Sequence, residues 1–68
     1  MAIEITVNGE ARAVAEGTTL LMLLETLALN PQAVAAQIND AIVPRNAHGS
    51  VVLNAGDTVE LVRFVGGG

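Results

Sequence analysis

One segment of this chain has the period of a helix, and most of the rest has the period of strands. Leu20, Leu23, Leu24 and Leu27 fall at i, i+3, i+4 and i+7, which puts four leucines on one helical face. Thr18 or Thr19 can cap the N-terminus. Asn30-Pro31 should end the helix, because the residue before proline is pushed out of the α region. Leu21 and Met22 lie beside the stripe and are expected to flank the core. A single amphipathic helix and a single sheet can bury their apolar faces only against each other.

The strands follow from alternation. Ile3, Ile5 and Val7 alternate with Glu4 and Thr6 across residues 2–7, the period of a half-buried strand. Asn8-Gly9 is a strong hairpin signal, since a type I′ turn needs positive φ at both central positions. Residues 10–14 should return antiparallel. Their facing stays open, because Ala11 and Ala13 are small and Val14 shares parity with Glu10 and Arg12. Residues 34–39 form a second sheet segment, with Val34, Ala36 and Ile38 on one face, and Asp40 turns the chain. Residues 41–43 stop at Pro44, which suits an edge strand. Residues 45–50 read as a loop, 51–53 as an apolar docking piece, 54–57 as a turn, and 58–65 as the last and longest strand. The spacing predicts an α+β fold with a sheet of about five strands on one helix.

The 68 residues make one domain, and domains this small are marginal without a disulfide or metal. There is no cysteine and one histidine, His48, so aliphatic packing must supply the stability. The formal net charge is -4 and lysine is absent. Phosphate contacts need Lys and Arg, which argues against nucleic acid. A basic protein surface suits this charge better, since opposite charge speeds encounter. No apolar run approaches a membrane span, and the N-terminus lacks the pattern of a signal peptide. The expectation is a cytoplasmic protein, monomeric when free.

Alternation through the last strand puts Val59 and Leu61 toward the helix, and Thr58, Glu60, Val62 and Phe64 toward solvent. Phe64 is the single aromatic residue, and its placement before the glycines marks it, with Val62, as a partner-contact surface. Gly66-Gly67-Gly68 follow. Glycine has no side chain to bury and loses much backbone entropy when ordered, so three at a terminus add little to a fold. They offer a thin arm of about 10 Å tipped by a carboxylate. His48, Ser50 and Asp57 can be drawn as a triad, but they fall in loop and turn positions typical of solvated residues, and a lone His makes no metal site. Intrinsic catalysis is not expected.

Taken together, Val7-Asn8-Gly9-Glu10, Glu16-Gly17-Thr18-Thr19-Leu20, Ile38-Asn39-Asp40-Ala41-Ile42-Val43-Pro44-Arg45, Ala55-Gly56-Asp57-Thr58-Val59-Glu60 and the final glycines resemble the ThiS family, sulfur carriers of thiamin biosynthesis. The resemblance spans essentially the whole chain. It implies a ubiquitin-like β-grasp domain over residues 1–65, with the first and last strands parallel at the centre of a mixed sheet, and a flexible tail at 66–68. One departure stands out: residues 46–50 often carry an aromatic in ThiS-like chains, whereas here they hold His48 and Gly49. MoaD-like carriers for molybdopterin are near relatives, but they tend to have a Phe-rich first strand and a proline before the glycines.

The resemblance also implies a chemistry. A ThiF-type enzyme uses ATP to adenylate the Gly68 carboxylate. A sulfur donor protein then converts it to a thiocarboxylate, a C-terminal 1-thioglycine, and thiazole synthase takes up the sulfur. Gly66 and Gly67 would thread into the partners' active sites. No cofactor would be bound by the chain itself. A ubiquitin-like protein modifier and an interaction module with an inert tail are the alternatives. The chain carries no lysine or cysteine to attack its own activated terminus, although a codon bias explains that equally well.

Overall fold

The computed structural model describes residues 1–63. Its elements are β1 (Ala2–Val7), β2 (Glu10–Ala15), α1 (Leu20–Thr26), β3 (Val34–Ile38), β4 (Ala41–Val43) and β5 (Thr58–Arg63), with 3-10 turns at Pro31–Ala33 and Arg45–Ala47. The strands form one sheet in the order β2-β1-β5-β3-β4. β1 and β5 run parallel at its centre, and the other neighbours are antiparallel.

The β1–β2 hairpin turns where the sequence places it, with φ of 49° at Asn8 and 85° at Gly9. Its register is unbroken from Ala2–Ala15 to Val7–Glu10, so there is no bulge and β2 runs one residue past the expected end. The facing left open by the sequence is resolved. Arg12 and Val14 are half-buried toward the helix, and Ala11, Ala13 and Ala15 are exposed on the other face.

Thr19 is the helix cap. Its hydroxyl accepts from the Met22 N–H at 3.1 Å, whereas the Thr18 hydroxyl donates to the Ala15 carbonyl. Two more first-turn N–H groups, which have no partner within a helix, donate to the 45–53 segment: Leu20 to the Val51 carbonyl and Leu21 to the His48 carbonyl, both at 2.9 Å. The helix ends earlier than Asn30-Pro31. Ala28 takes φ 58°, its N–H donates to the Glu25 carbonyl at 3.0 Å, and the Leu29 N–H donates to the Leu24 carbonyl at 2.9 Å. That pattern is a Schellman stop. It turns Leu29 back against the core, and this packing ends the helix before the proline does.

Leu20, Leu23 and Leu24 pack with Ile5, Val34, Ala36, Leu53, Val59 and Leu61 into one core. Leu21 is half-buried, and Met22 lies 50% exposed, off the leucine stripe, which corrects its assignment to the core edge. β3 ends at Ile38, not Asn39. Asn39 and Asp40 adopt φ of 52° and 69° and form a second two-residue turn. The side chain of Asn39 accepts from the Thr58 N–H and donates to the Asp57 carboxylate, each at 3.0 Å, tying this turn to the start of β5.

Candidate functional site at the end of the central strand

β5 is the element that leads to the glycine terminus, and it is held on both sides. β1 pairs with it at Thr6–Thr58 and Val7–Val59. β3 pairs with it from Ile38–Val59 to Val34–Arg63. Val59 and Leu61 are buried against the helix, and Thr58, Glu60 and Val62 are exposed, as alternation requires. Phe64, Val65, Gly66, Gly67 and Gly68 lie outside the described residues, so the expected extension of the strand to residue 65, the aromatic contact and the threading tail fall there too.

The outer face of the sheet around Val62 is aliphatic and acidic. Val62 is 59% exposed and Ile42 is 76% exposed. Register places Ile42 opposite Gln37, Gln37 opposite Glu60, and Ala35 opposite Val62. These side chains form two adjacent rows across β4, β3 and β5. Glu4 lies on the same face, opposite Ala13. The strand cations point the other way: Arg12 is opposite the buried Ile5, and Arg63 is opposite the buried Val34. Among the described strand residues this face therefore carries carboxylates and no cation. Ile42 was not singled out from the sequence, because a three-residue strand gives too short a pattern to fix its facing.

The opposite side holds a groove of about 300 Å³ between the hairpin and the end of α1, floored by Val7, Leu27, Leu29 and Leu61 and edged by Arg12.

His48, Ser50 and Asp57 are not linked as a triad. Solvation was expected for all three. His48 is instead 2% exposed, because the 45–53 segment folds down onto the helix N-terminus, and Asp57 is 9% exposed. Neither imidazole nitrogen has a hydrogen-bond partner. The Asp57 carboxylate accepts from Asn39 and from the Asn54 N–H, and the Ser50 hydroxyl donates to the Ala47 carbonyl. No group of three or more potential metal ligands occurs among the described residues. No helix among them is long and apolar enough to cross a membrane.

A mixed sheet gripping one helix, with its first and last strands parallel at the centre, defines a ubiquitin-like β-grasp protein. The profile of the ThiS family matches residues 5–68. A crystal structure of the thiamine biosynthesis protein ThiS from Geobacter metallireducens superposes with a TM-score of 0.82 at 32% identity, covering 97% of this chain and 100% of that one. A thiazole synthase of Magnetococcus marinus is 44% identical over 66 residues, and the chain spans 20% of that relative's length. A Porphyra purpurea protein described as uncharacterized is 36% identical, with 97% of this chain and 93% of the relative covered. The chain belongs to the ThiS family of sulfur carrier proteins.

Proposed function

We propose that this chain carries sulfur on Gly68 and delivers it to a thiazole synthase in thiamin biosynthesis. The observation that carries the proposal is the path of β5, a central strand pinned on both edges whose next residues are Phe64, Val65 and three glycines. Family membership supports it. So does the segment related to this chain within a protein named thiazole synthase.

The chemistry follows from the terminal carboxylate. An α-carboxyl has a pKa of about 3.3 to 3.7, so near neutral pH it is an anion that resists nucleophiles. A ThiF-type enzyme would let a carboxylate oxygen attack the α-phosphorus of ATP, expelling pyrophosphate and leaving an acyl adenylate. Sulfide then attacks the acyl carbon; a donor protein would supply that sulfide from a persulfide, released by a thiol that is oxidised to a disulfide. AMP departs with the former carboxylate oxygen, and a thiocarboxylate remains. That sulfur is the nucleophile offered to the synthase. Glycine lets the arm adopt backbone conformations closed to other residues inside a narrow channel.

Val62 and Phe64 would hold the body of the carrier against its partners, with Ile42 extending the same surface. The acidic character of the face suits a partner surface bearing Lys or Arg. A reconstitution with ATP, sulfide, a ThiF-type enzyme and a thiazole synthase tests the function. Thiocarboxylate should form and then be consumed only when the synthase and its other substrates are present. Accumulation of isopeptide adducts in its place would indicate a protein modifier.

A further inference from the structure

We infer that Asn8 is a positioning residue for the carrier terminus: its side chain takes the place of the next residue of β1 and fixes the direction in which β5 leaves the sheet. This rests on the sulfur-carrier function proposed above.

β1 ends at Val7, and its register with β5 stops at Val7–Val59. The ladder nevertheless continues. The Asn8 N–H donates to the Val59 carbonyl at 2.9 Å. In a regular parallel ladder the next bond would run from the Leu61 N–H to the main-chain carbonyl of residue 8. The chain has already turned at Asn8, and the Leu61 N–H donates to the side-chain oxygen of Asn8 at 2.8 Å. The Asn8 side-chain nitrogen donates to the Leu61 carbonyl at 3.2 Å. One primary amide thus serves both main-chain groups of Leu61. Beyond it, among the described residues, β5 is in register with β3 alone, through Val62 and Arg63.

Few side chains meet these demands together. The position needs positive φ, which Asn tolerates better than most residues. It also needs a donor and an acceptor on one short planar group. Aspartate keeps the acceptor and loses the donor. Glycine keeps the turn and loses both.

The consequence for transfer is geometric. Position 64 lies three residues beyond Leu61, a span of up to about 10 Å. A change of about ten degrees in strand direction at Leu61 would displace position 64, and with it the chain leading to the tail, by about 2 Å over that span. Misplacement by about 1 Å can cost a reacting geometry about a hundredfold in rate.

The test compares wild type, Asn8→Gly and Asn8→Asp at a temperature where circular dichroism shows all three folded. Two quantities are read: hydrogen exchange of the Leu61 amide, and steady-state kinetics of ATP-dependent thiocarboxylate formation by a ThiF-type enzyme. Asn8→Gly should exchange the Leu61 amide at least tenfold faster and lose about tenfold in kcat, with KM within twofold of wild type. Asn8→Asp should fall between. A merely structural role would leave kcat intact for a folded variant. Unchanged exchange, or faster exchange with wild-type kcat, overturns the positioning role alone. A wild-type chain that a competent enzyme never activates overturns the carrier function and this role together.

Discussion

The side-chain amide of Asn8 meets the main chain of Leu61 twice, at 2.8 Å and 3.2 Å, across a sequence separation of 53 residues. A hairpin turn at one end of the chain thereby braces the strand at the other. Replacing Asn8 by alanine removes both bonds and leaves a Cβ residue at φ 49°. The expected cost is about 2–3 kcal/mol, from two lost hydrogen bonds and a left-handed backbone. Glycine avoids the backbone term, so Asn8→Gly should cost about 1 kcal/mol less than Asn8→Ala in urea unfolding. Equal losses for the two would show that the turn backbone is not strained.

His48 is the position where a substitution should improve the fold. Its ring is 2% exposed and both nitrogens lack partners. A buried polar group without a partner costs about 1–3 kcal/mol. His48→Leu, of similar bulk, should therefore stabilise by about 1 kcal/mol, a rise of roughly 4–8 °C in Tm for a domain of this size. His48→Ala should instead destabilise, because a cavity is left behind. Thermal unfolding of both variants separates the polar contribution from the packing one. Destabilisation by leucine would mean that the imidazole is satisfied in solution.

Ala28 occupies the left-handed position of the Schellman stop at φ 58°. An L-residue there carries strain of about 1–2 kcal/mol, which glycine does not. Part of that gain is lost to the greater freedom of glycine in the unfolded chain. Ala28→Gly should stabilise by about 0.5–1 kcal/mol in chemical denaturation, even though glycine is a poor helix residue elsewhere. A loss of stability would place the helix end beyond Ala28.

Ile42 and Val62 lie in adjacent rows of the solvent-facing side of the sheet, on β4 and β5 with β3 between them. Ile42→Ser and Val62→Ser should each change stability by about 0.5 kcal/mol or less. If this face docks the activating enzyme, each should raise KM for the carrier severalfold. Glu60→Lys should slow association, with a deficit that shrinks as salt is added. Unchanged KM in all three variants would move the docking surface elsewhere.

The layout was legible in the sequence because strong local signals carried it. The leucine stripe gave one helix, the alternation of Ile3, Ile5 and Val7 gave a half-buried strand, and Asn8-Gly9 gave the hairpin. The parallel pairing of the first and last strands came with the resemblance to ThiS, not from periodicity, and the places of the other strands were not read. Three features escaped because they are tertiary. The helix stopped where Leu29 could return to the core, ahead of the proline signal. Asn39 left its strand because its amide ties Asp57 to Thr58. The sequence around His48 reads as a loop, and nothing in it says that the segment will cover the first turn of a helix. For the site, alternation alone exposed Val62, whereas the bracket of Asn8 on Leu61 depends on two residues at opposite ends of the chain.

Intact mass spectrometry after incubation with ATP, sulfide and a ThiF-type enzyme decides whether Gly68 carries sulfur. A chain lacking Gly68 serves as the control. Exchange of one terminal oxygen for sulfur in the full chain, and none in the control, is the expected result. An unchanged mass in the presence of an enzyme that activates another ThiS protein would contradict a sulfur carrier.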